Sequence, residues 1–266
     1  METKAIESIS QYPAERREAI ARLIEEKTRA SVAELSQHLS VSEVTIRKDL
    51  AVLEQEGGVL RTHGGAIAVG RSRSELAFEV RARLHKTEKA LIGAEAARLV
   101  DDGDSIALDA SSTALQIARH LKARRELTVV TNGIRVATEL AGRPSITVLM
   151  PGGAVRWEAF SLVGKWGSVM LRQLNIQKAF VGAVGFTLEE GLTDVNAEEA
   201  EIKKAMVATA KDVIAVFDHT KWDRIAMATF CSVDQLSLVI SDDRALAAHV
   251  KAARNRGIDV RLVGSR

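Results

Sequence analysis

From about residue 87 onward, short apolar runs rich in Val and Ile alternate with longer stretches whose apolar residues recur at helical spacing. The runs at 105–108, 127–131, 146–150, 179–183, 213–217, 238–240 and 260–263 read as buried strands. Between them, 114–121, 163–174, 197–210 and 244–255 carry the three-and-four spacing of amphipathic helices. This alternation predicts a mainly parallel sheet covered on both faces, because parallel strands need crossovers and each crossover lays a helix on the sheet.

The first sixty residues follow a different rhythm. Pro13 suits the first turn of a helix, and Ile20, Leu23 and Ile24 continue it to about Thr28. Ser31-Val32-Ala33-Glu34 fits a capping box opening a second helix over 32–39, with Leu35 and Leu39 inward. Ser40-Val41-Ser42 makes a turn, and Ser42 is a good N-cap for a third helix running to about Gln55. On that helix Ile46, Leu50 and Leu53 share one face, leaving Val44, Thr45 and Lys48 outward and Arg47 on a flank. Gly57-Gly58 ends it. Val59-Leu60-Arg61 and a partner near Ala66-Ile67 then predict two short strands with Gly64-Gly65 at or near their tip. The expected division is a winged helix-turn-helix at 1–66, a linker at 67–75 and an α/β domain at 76–266.

Composition changes this picture little. A hydrophobic content of 46% with 27% charged residues is ordinary for a globular protein with a sizeable core. The net charge is +2, and residues 1–74 hold eleven basic and eleven acidic residues, so no generally basic domain is present. Charge placement says more: residues 57–74 contain Arg61, Arg71 and Arg73 and no acid. The single cysteine, Cys231, excludes an intramolecular disulfide and a cysteine-rich zinc site. The N-terminus lacks an apolar signal core, and no apolar run reaches the length of a membrane span, so a cytoplasmic protein is expected. The six histidines are scattered without metal-ligand spacing, and no phosphate-binding glycine loop or nucleophile-elbow pattern occurs, so neither metal nor cofactor is expected. Trp157, Trp166 and Trp222 read as packing or interface residues.

A helix of the width and charge of 43–55 fits the DNA major groove, where each base pair displays its own donor and acceptor pattern. Ser42, Thr45, Arg47 and Lys48 lie near its N-terminal end, and Arg61 and His63 sit on the wing, placed to touch the backbone or minor groove. A three-helix protein-interaction module is the alternative for the helices alone. In the α/β part, Asp109-Ala110-Ser111-Ser112-Thr113 follows a predicted strand and opens a helix; the hydroxyls suit a phosphate or merely an N-cap. Thr131-Asn132-Gly133 and Pro151-Gly152-Gly153 also follow predicted strands, and ligands of open α/β sheets bind at such carboxyl ends, whereas Gly182-x-x-Gly185 is a weak signal by itself. Glu199 and Lys203, four apart, could form an ordinary surface ion pair.

The run Val41-Ser42-x-x-Thr45-Ile46-Arg47-x-Asp49-Leu50-x-x-Leu53-Glu54-x-x-Gly57, followed by Arg61-x-His63-Gly64-Gly65-Ala66, resembles the signature of the DeoR family of bacterial transcriptional regulators. The family often has arginine at Lys48 and glycine at Ser111; Lys48 keeps the charge but not the bidentate geometry, which suits phosphate more than base contact. The resemblance spans nearly the whole chain, through 191–206 and Asp218-His219-Thr220-Lys221-Trp222. It implies an α/β sensor domain resembling ribose-5-phosphate isomerase that binds a phosphorylated sugar or polyol. The implied pocket comprises Asp109, Ser111, Ser112, Thr113, Thr131, Asn132, Gly152, Gly153, Gly182, Glu199, Lys203 and Lys221. The isomerase's lysine-bearing glycine loop has no counterpart here, since Met150-Pro151 precede Gly152-Gly153, which argues for binding without turnover. The resulting expectation is a repressor of carbohydrate-catabolism genes, dimeric or tetrameric on operator DNA. An isomerase-like enzyme with an appended DNA-binding domain, and an activator, are the alternatives.

Overall fold

The computed structural model describes residues 12–27, 29–55, 59–62, 64–68 and 78–264. The chain forms two compact units divided between residues 76 and 77, with Arg83–His85 grouped with the first.

In the first unit α1 (Pro13–Lys27) is followed by β1 (Arg29–Ser31), α2 (Val32–Leu39), α3 (Glu43–Gln55), β2 (Val59–Thr62) and β3 (Gly65–Ala68). The capping box forms as expected: the Ser31 hydroxyl accepts from Glu34 N (3.1 Å), and the Glu34 carboxylate accepts from Ser31 N (2.7 Å). That hydrogen bonding also lowers the pKa of Glu34. Ser42 caps α3 by accepting from Thr45 N at 3.2 Å. Ile20, Ile24, Leu35, Leu39, Ile46, Leu50, Leu53 and Val59 close the core. The wing has three strands, not two. β1 adds to it in the order β1-β3-β2, all antiparallel. A three-residue strand carries too little pattern to be seen in sequence, and its pairing with Gly65–Ile67 is long-range.

The second unit begins with α4 (Phe78–Arg83) and α5 (Lys86–Ala97). It continues through β4 (Ser105–Leu108), α6 (Ser112–His120), β5 (Leu127–Thr131), α7 (Ile134–Leu140), β6 (Ile146–Leu149), β7 (Ala154–Arg156), β8 (Ser161–Val163) and α8 (Lys165–Leu171). There follow β9 (Ile176–Val181), β10 (Gly185–Thr187), β11 (Gly191–Asp194), α9 (Ala197–Thr209), β12 (Ala210–Val216), β13 (Ala228–Cys231), β14 (Leu238–Asp242), α10 (Ala247–Asn255) and β15 (Val260–Val263). Seven strands form one parallel sheet in the order β15-β14-β12-β9-β4-β5-β6.

Alternation along each strand divides the core. Ile106, Leu108 and Val129 pack with Ile92, Ile117 and Val136 of α5, α6 and α7 on one face. Ala107, Val130 and Ala179 face Leu171, Ile202 and Met206 of α8 and α9 on the other. Three departures from expectation stand out. β9 starts at Ile176, and residue 163 ends the hairpin β7–β8 rather than opening a helix. Residues 191–194 are a strand in an antiparallel sheet, β10-β11-β13. The period-two signal of such short pieces is lost among turns. Trp222 packs with Phe186 and Phe217, its indole donating to Ser241 Oγ (3.1 Å), whereas Trp157 and Trp166 are exposed.

Candidate functional site

On α3 the outward face carries Ser42, Glu43, Val44, Arg47 and Lys48, all exposed, with Thr45 half-buried. Arg47 is exposed on the flank of this face, and Glu43 holds it through a 2.5 Å ion pair one turn away. The Ser42 and Thr45 hydroxyls bond each other at 2.9 Å, so both are oriented by the cap. Arg61 is exposed on β2, its backbone N–H donating to Glu54 Oε1 at 3.0 Å. His63 lies outside the described residues. This is a surface of one helix tip and one strand with cations at its edge, suited to a phosphate-lined groove.

In the second unit the direction of the chain across the sheet reverses between β4 and β9, which are hydrogen-bonded neighbours. Chain leaving β4 crosses to β5 by one face and chain leaving β9 crosses to β12 by the other, which is the topological switch point where open α/β sheets form their ligand crevice. Asp109 follows β4 and Gly182 follows β9. Asp109 is completely buried; its Oδ2 accepts from Gly182 N (2.9 Å) and its Oδ1 from Ser111 N (3.1 Å). Lys203 of α9 reaches the same point, with Nζ 3.0 Å from Asp109 Oδ2, 2.8 Å from Asp194 Oδ2 and 2.9 Å from Gly182 O. Burial alone would push this ammonium down, but Asp194 and Asp109 more than offset it and its pKa is raised. Asp194 shows the reciprocal effect: burial would raise its pKa, yet the Lys203 charge and hydrogen bond bring it below the ordinary carboxylate range.

Glu199, one turn earlier on α9, heads a second buried cluster. It accepts from Asn132 Nδ2 (3.2 Å), Arg156 Nη1 (2.9 Å) and the Ser161 hydroxyl. Asn132 also donates to Leu162 O at 3.2 Å, which fixes its amide orientation and leaves Oδ1 buried with no hydrogen bond from any described residue. The Glu199–Lys203 surface ion pair is therefore corrected. Both residues are buried, and their ion-pair partners are Arg156 for one and Asp109 and Asp194 for the other.

The helix opening at Ser112 is capped by Ser111, whose hydroxyl accepts from Ala114 N at 3.0 Å; neither Ser112 nor Thr113 performs that task, and both are buried. Gly182 passes so close to Ser111 that a Cβ there would lie 2.6 Å from its Cβ and Oγ. Thr131 Oγ1 accepts from Gly133 N at 3.0 Å and shapes the turn after β5. Gly152 and Gly153 enter the hairpin β7–β8, where a Cβ on Gly153 would meet Val163 O at 2.1 Å, so chain geometry accounts for that glycine.

Lys221 is half-buried in the 3-10 turn His219–Lys221 after β12. Beside it is a residue that sequence reasoning passed over. Lys89 of α5 is buried, donates to Arg81 O at 2.6 Å and lies 3.8 Å from Asp218 Oδ2. Burial, together with the like charges of Lys221 and Arg81, lowers its pKa to about 8 against the pull of Asp218. The only signal available in the sequence was a lysine in register with the apolar face formed by Ile92 and Ala96. Asp109, Ser111, Gly182 and Lys203 are thus brought together in one cluster and Asn132 and Glu199 in another, while Lys221 stands with Lys89 and Asp218 at the end of β12.

A helix-turn-helix with a three-stranded wing and a doubly wound α/β unit with a polar crevice at its strand ends define a two-unit DNA-binding regulator with a sensor. Comparison with known proteins specifies the class. Residues 16–71 match the DeoR-like helix-turn-helix domain and residues 84–243 the DeoR C-terminal sensor domain. The chain belongs to the DeoR family of transcriptional regulators. It is 37% identical to the HTH-type transcriptional regulator GolR of Listeria innocua, over 94% of this chain and 99% of that protein. It is 33% identical to the HTH-type transcriptional repressor GlcR of Bacillus subtilis, over 87% and 89%. Among solved structures, ribose 5-phosphate isomerase A of Methanocaldococcus jannaschii matches 52% of this chain and 54% of its own, at 19% identity and a TM-score of 0.38. Among the described residues no helix is long and apolar enough to cross a membrane.

Proposed function

We propose that this regulator is a cytoplasmic repressor of carbohydrate-catabolism genes whose hold on operator DNA is relieved by a phosphorylated sugar or polyol. The observation that carries the reading is the cationic end of β12, where Lys89 and Lys221 act on each other electrostatically, near Arg81. An ammonium kept buried at a cost in solvation is well matched by a phosphate dianion, which replaces the lost water and offsets the like-charge repulsion. Ser111, Ser112 and Thr113 at the start of α6 supply hydroxyls and helix amides, while Asn132 Oδ1 is a buried acceptor suited to a sugar hydroxyl. Asp109, Glu199 and Lys203 are occupied with one another's neighbours, so their role is to hold the crevice in shape.

We assign DNA contact to residues 1–68, because β3 carries the wing two residues past the expected boundary at 66, through Ser42, Thr45, Arg47, Lys48, Arg61 and His63, and effector binding and self-association to 76–266, joined by 69–75. One recognition helix reads few base pairs, so two half-sites about a helical turn apart, bound by a dimer or tetramer, supply the discrimination a single copy lacks. Turnover is not part of the reading: Lys203 is locked by three acceptors, and the relatives named above are regulators.

The test is anisotropy of labelled DNA from upstream of the protein's own gene, titrated with full-length protein and a panel of aldose, ketose and polyol phosphates. At least one compound is expected to weaken binding by about 5- to 150-fold, the usual range of allosteric coupling. No shift with any of them removes the sensor role, and isomerisation of any of them by the full chain overturns the non-enzymatic reading.

A further inference from the structure

The inward stripe of α3 runs Ile46, Asp49, Leu50, Leu53, and one of its members is an acid. Asp49 is only 4% exposed, in a core otherwise built from Ile20, Ile24, Leu35, Ile46 and Leu50. Its partner is Arg16 of α1, 7% exposed, whose Nε donates to Asp49 Oδ2 at 2.6 Å and whose Nη2 donates to Oδ1 at 3.3 Å. The contact is a two-pronged pair, the one arrangement of arginine and carboxylate that fixes orientation as well as distance.

Burying such a pair gains the small domain little stability, because desolvating two charges offsets most of their attraction. An apolar pair of similar volume would fill the space as well, but it would be indifferent to rotation. Leucine on leucine tolerates a helix rolling by several degrees; a planar fork on a planar carboxylate does not. Asp49 directly follows Lys48 and lies one turn from Thr45, so the roll of α3 about its axis decides where Thr45, Arg47 and Lys48 point.

We propose that the Arg16–Asp49 pair sets the roll of α3 against α1 and thereby the sequence discrimination of the DNA-binding surface; both are positioning residues that touch no base. This rests on the DNA-binding reading above and adds to it a determinant buried on the far side of the helix from the groove.

The experiment uses the full-length protein without effector. Its affinity is measured for an operator footprinted upstream of its own gene and for a scrambled duplex of equal length, at one salt concentration and across a salt series. In R16M/D49L the fold is expected to persist, with a Tm at or above that of the wild type, and the salt dependence and affinity for scrambled DNA are expected to remain. The ratio of operator to scrambled affinity is expected to fall about tenfold or more, the scale of a misplaced base contact. R16K keeps the charge but loses the fork, and its ratio falls in the same direction. A double variant that discriminates as the wild type does overturns the proposal. If the double variant does not fold, the ratio in R16K decides by the same criterion. A wild-type protein that binds DNA without discrimination sinks the operator reading itself, a result distinct from a variant that keeps its specificity.

Discussion

Replacing Lys203 by Met tests whether the interior of the sensor unit is held by one cation between two carboxylates. Its ammonium lies 2.8 Å from Asp194 Oδ2 and 3.0 Å from Asp109 Oδ2, and all three side chains are at most 7% exposed. At an effective dielectric near 20 each contact has a gross attraction of about 5–6 kcal/mol, most of it offset by desolvation. Removing the cation leaves that desolvation uncompensated on the two acids, a loss of about 3–5 kcal/mol. For a domain of this size that lowers the unfolding midpoint by roughly 6–20 °C. The pH dependence carries the sharper signature. In the wild type the pKa of Asp194 is depressed, so its contribution is complete above the ordinary carboxylate value of 3.8 and is lost as pH falls through its folded-state value. In K203M the same carboxylate loses its adjacent cation and keeps only the weaker pull of Arg81 against burial, so its pKa rises and protonation relieves the burden in mildly acidic solution. Calorimetry from pH 5 to 8 should therefore show a deficit that shrinks with acid. A deficit below about 1 kcal/mol at pH 7, or one that does not change with pH, refutes the reasoning.

Three further outcomes are expected. The Lys89 pKa of about 8 against an ordinary 10.5 means that folding bears a charge penalty of about 3 kcal/mol below pH 8, relieved as pH rises toward 10.5. Because the Cys231 thiol, pushed up to about 12 by burial, opposes this above pH 9, the check is the wild type minus K89M stability difference, which rises across that window. G182A drives a methyl into Ser111 and is expected to cost about 1–3 kcal/mol and to blunt the response to the effector; unchanged denaturant midpoints and response contradict the close approach. S111A removes the cap of α6 and is expected to cost about 1 kcal/mol in urea unfolding, whereas T113A leaves the cap intact.

Local physics was legible from residue order. The Ser31–Glu34 box, the Ser42 cap and the apolar stripe of α3 act within one or two turns, and each stands where the pattern put it. The strand ends that build the crevice were equally readable, because a buried parallel strand is a run of Val and Ile closed by a turn. β1, β7 and β8 were not, since three residues of period two are indistinguishable from a loop until a partner is known.

What a side chain does inside the crevice depended on residues far away in the chain. Glu199 and Lys203 look like neighbours on an exposed helix face, yet their partners come from β7, β8, β11 and the turns after β4 and β5. Lys89 meets Asp218 across 129 positions, and Arg16 meets Asp49 across 33. The sequence by itself determined the two-unit plan, the recognition helix and the parallel sheet, because propensity, capping and periodicity act over a few residues. Only the tertiary structure decided which charges are buried and with whom, because that depends on the low-dielectric space that closes once helices cover the sheet.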